Sequence, residues 1–472
     1  MADLNEIIQQ LNSALGQQNV KSDADTLAKY AVDGIKPKVV VFPKDSQECS
    51  AVVKYANKAG LAIIPWGAGT MMASGNIPKK YDIAICMLRM NHMLEIDTSN
   101  LTVTVEAGVR LRDLQARLAT EDDRCYLPLT VLATESDEFI CSDRSVSGCF
   151  LPIDPMFSDK ATIGGMVAAN SSGPKRLYYT LPRDLVIGAK FIDPEGNIIK
   201  TGGRTVKNVS AYDISKLLLG SYGTLGIVTE ATIRLQPLPE KTKTMVAGFD
   251  SLDKASSFAD AFLKSKMLPA AVEVMNGAAY NAINFPDKPA VGSSAYVVAL
   301  AFEHFVQAVE RMEKEGNEFA SKNGATVKAM IEEDLHGLFW LRVSDIIPVE
   351  KAGDSISLKL NYPVSCYKSI MEKVNSALKQ DGLKYSVLTH SGNGITLLNI
   401  ENASKAAGTV QSILKYCRDI EGNLMVLAAP TALKASLPIW GEVRSDFVLL
   451  KRLKDKMDPA GIMCSGRYVG GL

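Results

Sequence analysis

Residues 161–173, "ATIGGMVAANSSG", run for thirteen positions without a charged side chain, and small residues fill most of them. A buried segment this small leaves room for another molecule to lie against it, or else lets a helix pack very close to its neighbour. The segments on either side decide between the two.

From about residue 38 the pattern runs apolar strand ("KVVVF"), a helix opened by Asp45 or Ser46 ("DSQECSAVVKYANKAG"), apolar strand ("LAIIP") and the glycine loop "WGAGTMMASG". This is a β-α-β start with a loop after its second strand. "DIAICML", "LEID" and "LTVTVEAG" read as short strands, and "FIDPEGNIIKTG" as a hairpin around a Pro-Glu-Gly turn. "ISKLLLGSYGTLGIVTEATIRLQPLPE" gives helix, glycine turn and strand, and its Pro-rich end near residue 239 marks a domain boundary. Beyond it, "TMVAGF", a helix over about 252–266, "AAVEVMN", "AYVVALAF", a helix over about 305–323 and "TVKAMI" predict antiparallel strands backed by helices. "SISLKLNYPVS", "GITLLNI" and a helix near 404–419 repeat that set, either as one split sheet or as two half-domains. The expected division is 1–239, 240–445 and a C-terminal segment 446–472, which holds a basic amphipathic helix stopped by Pro459.

Composition narrows the function classes. A chain of 472 residues exceeds one compact core, and 47% hydrophobic with 22% charged residues argues against disorder. Lys+Arg and Asp+Glu are both 52, so no basic field recruits nucleic acid. No stretch approaches the roughly 18 apolar residues of a spanning helix. "MADLNEIIQQLNSALG" reads as an amphipathic helix rather than a signal peptide, so a cytoplasmic location is expected. The eight cysteines form no CxxC pair, which leaves neither a zinc ribbon nor a ferredoxin-type cluster site.

"PWGAGT" at 65–70 lets backbone N–H groups approach a ligand with no Cβ in the way, as a pyrophosphate cradle requires, although surface turns use the same residues. The G-x-G-x-x-G spacing and the G-x-x-x-x-G-K-[ST] loop are both absent.

Three segments in fixed order resemble the FAD-binding domain of vanillyl-alcohol-oxidase-type flavoproteins, in the branch of glycolate oxidases and D-lactate dehydrogenases. They are "IIPWGAGTMMASG", "DKATIGGMVAANSSGPKRLYYTLPRDLVIGAKFIDPEGNIIKTG" and "KNVSAYDISKLLLGSYGTLGIVTEATIRL". The terminal "MDPAGIMCSGR" resembles that family's closing D-P-x-G-I-L-N-P-G-K. The resemblance implies an α+β fold: a two-part FAD-binding domain plus an α+β cap domain with an antiparallel sheet. It also implies that Trp66, Gly67, Ala68, Gly69 and Thr70 lie at the FAD pyrophosphate, with Ser74 and Gly75 closing the loop. Pro152, Thr162, Gly164, Gly165, Asn170, Ser171 and Gly173 would follow the ribityl and isoalloxazine portions, and Gly223, Gly226, Ile227 and Val228 the adenosine. A bulky residue at Gly69 or Gly165 would then intrude on the cofactor. No His lies in 65–75 and Cys86 sits in a strand, so FAD is expected to be held without a covalent bond; His92, at a turn, is expected to be exposed.

The second half departs from that family. Its H-x-G-D-G-N-x-H motif, whose two histidines bind a divalent metal, reads "HSGNGITL" here: His390 survives, Leu397 replaces the second His and Asn393 the carboxylate. One imidazole makes a poor metal site, so no metal is expected. The family's later G-E-H-G segment is also missing, and no histidine follows His390. His390 is therefore either a lone base, imidazole being the side chain most often used to take a proton, or a hydrogen-bonded structural residue. Arg342, in "WLRVSD", resembles the family's clamp for a substrate carboxylate. The accompanying Lys is Ser357, with Lys359 two positions on along the same strand face.

"LAAPTALKASLPIWG" with the terminal segment is similar to the smaller FAD-binding subunit of bacterial glycolate oxidase. That resemblance implies an FAD-dependent subunit taking part in oxidation of a small 2-hydroxy acid, beside a second flavoprotein and an iron–sulfur partner, with association at the inner membrane only through those partners. A stand-alone D-2-hydroxyacid dehydrogenase and a flavin-bearing relay or scaffold are the alternatives. An insertion at 134–150 holds Cys141 and Cys149, either near a partner's cluster or in a plain surface loop.

Overall fold

Three sheets of four, five and eight strands, with two short two-stranded pairings, carry the described residues. The computed structural model describes residues 3–120, 131–132, 139–140, 148–205, 212–349 and 353–472. Cys141 and most of the 134–150 insertion lie outside the described residues; Cys149 is buried, in a two-stranded pairing opposite Pro237.

The first sheet grows from the β-α-β start. Val39–Val41, Ile83–Cys86 and Ile63–Trp66 pair in parallel, with the short Val20–Lys21 added antiparallel at one edge. Such strands are buried on both faces, which is why they read as unbroken apolar runs. The crossing helix Ser46–Ala59 starts where Asp45 Oδ1 accepts from the Glu48 N–H at 2.8 Å. It ends at Gly60, in the left-handed conformation that closes many helices.

The second sheet is antiparallel, in the order Ile198–Gly202, Val186–Ile192, Ile227–Arg234, Thr102–Glu106, Met93–Asp97. Against it lies the helix Ile163–Ala169, the heart of the opening motif. Its glycines let it approach closely: the Gly164 N–H donates to Ala107 O at 2.8 Å, and a Cβ on Gly164 would stand 2.6 Å from the Ala107 Cβ.

The third sheet answers the question the repeated strand pattern left open, because both sets join into one sheet of eight antiparallel strands. Their order is Val327–Ile331, Lys241–Phe249, Tyr296–His304, Ala271–Asn276, Tyr385–His390, Ile395–Glu401, Ser355–Asn361, Asn423–Ala428. One face, with Val272, Val274, Leu300, Leu358 and Leu398, packs under the helices Leu252–Leu263, Val306–Lys322, Tyr367–Gln380 and Ala403–Asp419. The opposite face holds Ala271, Ala299, Leu388, Ile395 and Leu397. Period-2 alternation places Glu273, Glu303, Lys359 and His390 on that second face, among apolar neighbours.

The C-terminal segment returns to the first sheet. Ile63 donates to Ile462 O at 2.7 Å and accepts from the Cys464 N–H at 2.8 Å. Lys454, on the helix Phe447–Met457, reaches Thr224 O at 2.8 Å. Among the described residues, no helix is long and apolar enough to cross a membrane.

Candidate active site

A groove with an empty volume of about 1040 Å³ runs between the first two sheets. The loop after Ile63–Trp66 lines one side, through Trp66, Gly67, Ala68, Gly69, Thr70 and Ser74. Thr162, Gly164, Gly165 and Ser171 line the floor, and Gly223, Gly226, Ile227 and Val228 one end. Four of the expected residues do not line it. Pro152 is buried elsewhere and Pro155 and Met156 take its place; Gly75 packs behind the loop, and Asn170 and Gly173 open onto the next cavity.

The glycines act in different ways. A Cβ on Gly67 would fall 2.1 Å from the Thr162 hydroxyl, which itself accepts from the Gly165 N–H and caps the helix. Gly69 has φ +83°, and its Cβ would strike the Trp66 ring at 2.8 Å, so a side chain there disturbs the protein before it reaches any ligand. Gly165 is the reverse: among the described residues outside its own helix backbone, only the Thr162 hydroxyl, at 3.1 Å, comes near its Cβ position, and the groove lies open beyond.

A second cavity, of about 590 Å³, adjoins the groove and shares Met71, Met156, Ala169, Ser171 and Tyr222 with it. It brings Asn170, Ser171, Ser172 and Gly173 up to Lys359, His390 and Leu397 on the eight-stranded sheet. His390 ends its strand opposite Glu273, and its Nδ1 lies 2.7 Å from Glu273 Oε2. Nε2 has no partner among the described residues. Burial pushes the Glu273 carboxyl up, and His390 pulls the other way. Lys359 is pushed down to about 8, by burial first and then by the Arg176 guanidinium. The Ser172 hydroxyl is buried without a partner among the described residues. Asp154 accepts from the N–H groups of Gly173 and Lys175 at 3.0 and 2.9 Å and so fixes the loop that carries Ser172. Burial raises its carboxyl to about 6, against those N–H groups and the charge of Lys175.

Arg342 stands apart from His390 and Lys359. It lines a third cavity, with Lys29, Arg110, Arg112, Asp159 and Lys160, on the other side of Trp66 and Gly67. Neighbouring Ser344 faces the site instead and lines the second cavity, whereas Asp345, whose Oδ1 accepts from the Phe157 N–H at 2.6 Å, feels the charges of Asp159, Arg342 and Lys160 at the third. Leu397 lines the cavity beside His390, and among the described residues no three His, Cys, Asp or Glu side chains converge as a metal site would require. His92 is exposed and pairs with Glu106 at 2.8 Å.

Glu273, Ser172, Tyr222, Trp440 and Arg467 escaped the sequence reading. An acidic residue inside "AAVEVMN" was the available signal for the first, since a buried carboxylate needs a partner. Trp440 and Arg467 reach the groove from segments remote in sequence, which periodicity does not reveal.

A family profile described as an FAD binding domain matches residues 37–130 and 144–202, and one described as the C-terminal domain of FAD linked oxidases matches 238–430. The chain belongs to the FAD-linked oxidases. It is 27% identical to glycolate oxidase subunit GlcD of Bacillus subtilis, over 98% of this chain and 96% of that protein. It is also 27% identical to the mitochondrial D-lactate dehydrogenase [cytochrome] of Arabidopsis thaliana, over 76% of this chain and 59% of that one. Among solved structures, 4-ethylphenol oxidase from Gulosibacter chungangensis superimposes with a TM-score of 0.73, covering 98% and 96% of the two chains at 14% identity. p-Cresol methylhydroxylase gives 0.70 at 15%, over 98% and 96%. These last two likenesses establish the fold: an FAD-binding part of the vanillyl-alcohol-oxidase type and a cap with an antiparallel sheet.

FAD is the cofactor of this family, and the groove fits it. The N–H groups of Ala68, Gly69 and Thr70 have no partner among the described residues, and Arg467 Nη1, lining the same groove, is buried without one. Donors of this kind suit an anionic dinucleotide. The protein is an FAD-linked oxidoreductase related to glycolate oxidase and to D-lactate and D-2-hydroxyglutarate dehydrogenases.

Proposed function

We propose that the chain oxidises a small 2-hydroxy acid of the glycolate or D-lactate type in the cavity beside the flavin groove. As a subunit it then passes electrons to an iron–sulfur partner alongside a second flavoprotein. One observation carries the reading: a paired imidazole and a buried lysine share one small cavity with the flavin floor. The relatives named as a glycolate oxidase subunit and as D-lactate dehydrogenases support the substrate class and the assembly. Residues 1–239 and 446–472 form the flavin-holding body in this reading, and 240–445 the substrate body.

FAD supplies the two-electron acceptor. His390 removes the substrate's hydroxyl proton at Nε2, since Nδ1 donating to Glu273 leaves the lone pair there, and Glu273 stabilises the imidazolium that results. Lys359 pairs with the substrate carboxylate, and Ser172 donates its unmet hydroxyl to a substrate oxygen. Met71, Met156, Leu397 and Met425 supply an apolar wall beside these polar groups, and the lower local dielectric there strengthens both charge contacts. Arg342, remote from this cavity, steers the anionic substrate from the third cavity rather than clamping it.

The alkaline side of the pH profile follows from Lys359. A lysine is charged below its pKa and the substrate carboxylate is anionic throughout, so kcat/KM falls as pH rises through about 8. Lys359→Arg keeps its charge and should extend activity to higher pH. Steady-state oxidation of glycolate and D-lactate with an artificial dye acceptor tests this; an unchanged profile above pH 8 in both proteins removes Lys359 from substrate binding. Attachment of the cofactor is tested separately. Acid precipitation is expected to release all the flavin as FAD, and a yellow pellet would show a covalent bond.

A further inference from the structure

Arg467 carries a buried charge that its protein neighbours answer only in part. It is 7% exposed, and its Nη2 donates to the carbonyls of Met72 and Ser74 at 2.9 and 2.5 Å. Nη1 has no partner. A second cation converges on the same loop: Lys434 donates to Ala73 O at 2.5 Å and Gly75 O at 3.3 Å and pairs with Asp33 at 2.7 Å. Arg467 and Lys434 feel one another's charge, and Asp33 is the carboxylate that both face. Two buried cations thus share one buried carboxylate, which leaves one positive charge beside the groove. Cys464, Tyr81 and Tyr222, the other titratable groups around Arg467, have their acidic protons held on by burial and supply no negative charge at neutral pH.

A partly answered buried charge is costly, and relief is at hand in the groove that Arg467 lines, where the N–H groups of Ala68, Gly69 and Thr70, without a partner among the described residues, also await an acceptor. We propose that Arg467 Nη1 donates to an anionic oxygen of the bound flavin dinucleotide, so that the ligand completes the charge balance of the 68–75 loop. The diphosphate offers such an oxygen at all times. The pyrimidine edge of the ring system offers one when reduced.

This role differs in sign from that of a residue that merely holds the loop. In the apoprotein the charge is uncompensated, so removing it relieves the fold; in the FAD complex it is paired, so removing it weakens binding. FAD and riboflavin are titrated into apoprotein by flavin fluorescence for R467M and R467K, and the thermal midpoint of each apoprotein is measured. R467M is expected to bind FAD about 10- to 100-fold more weakly, with an apoprotein midpoint equal to or above the parent's, and R467K to recover part of the affinity. Riboflavin affinity tells the two sources of the oxygen apart: unchanged in R467M for the diphosphate, reduced along with FAD for the ring edge. Binding of FAD by R467M within about twofold of the parent overturns the proposal. So does an R467M apoprotein that melts lower while R467K recovers no affinity.

Discussion

Replacing His390 by alanine is expected to slow reduction of the flavin by its 2-hydroxy acid about 10²- to 10⁴-fold, the usual worth of a positioned base, while FAD content stays at the parent level. The size of the effect follows from the lack of a substitute, since no other histidine lines the cavity. Glu273→Gln should fall between. Its amide keeps a hydrogen-bonding group opposite Nδ1 but loses the charge that stabilises the imidazolium. Stopped-flow spectra under anaerobic conditions report both. Because neither residue lines the flavin groove, dithionite should reduce all three proteins alike. A His390→Ala protein reduced at the parent rate would make His390 structural.

Gly67→Val is expected to yield protein depleted of FAD. The added Cβ would stand 2.1 Å from the Thr162 hydroxyl and 3.3 Å from its Cβ, so rotating the hydroxyl relieves only part of the clash. The loop and the helix that together form the groove must then separate. Overpacking of this kind costs about 1–3 kcal/mol, which corresponds to roughly 5- to 150-fold in affinity. Gly165→Ala is the informative contrast, since its methyl group enters the groove without a backbone clash and should weaken FAD while leaving the apoprotein's melting midpoint unchanged. Equal FAD content in Gly67→Val and parent protein would show that the loop moves freely.

The flavin groove was largely legible in the sequence because its parts are local. "WGAGT" and "ATIGGMVAANSSG" are contiguous runs whose small residues exist for close approach, and their fixed order carries the resemblance. The substrate cavity was legible only in pieces. His390 and Lys359 were visible as residue types, yet their meeting depends on strand order in an eight-stranded sheet whose two strand sets read equally well as two half-domains. Glu273 lies 117 positions from His390, and only the antiparallel register sets them opposite each other. Arg342 shows the converse. A local "WLRVSD" match singled out the arginine, but the helix Glu333–Ser344 turns it toward a different cavity from Ser344, because helical residues two positions apart point about 200° apart.

The central claim is that this chain holds a complete substrate site of its own, with partners needed only to take electrons away. Anaerobic mixing of the purified, FAD-loaded protein with a panel of 2-hydroxy acids tests it most directly. Bleaching of the flavin within seconds by glycolate, D-lactate or a close homologue, without any partner present, is the predicted result. Flavin that only dithionite reduces, and that responds to a 2-hydroxy acid solely after a second flavoprotein and an iron–sulfur subunit are added, would contradict it and leave the chain as an electron relay.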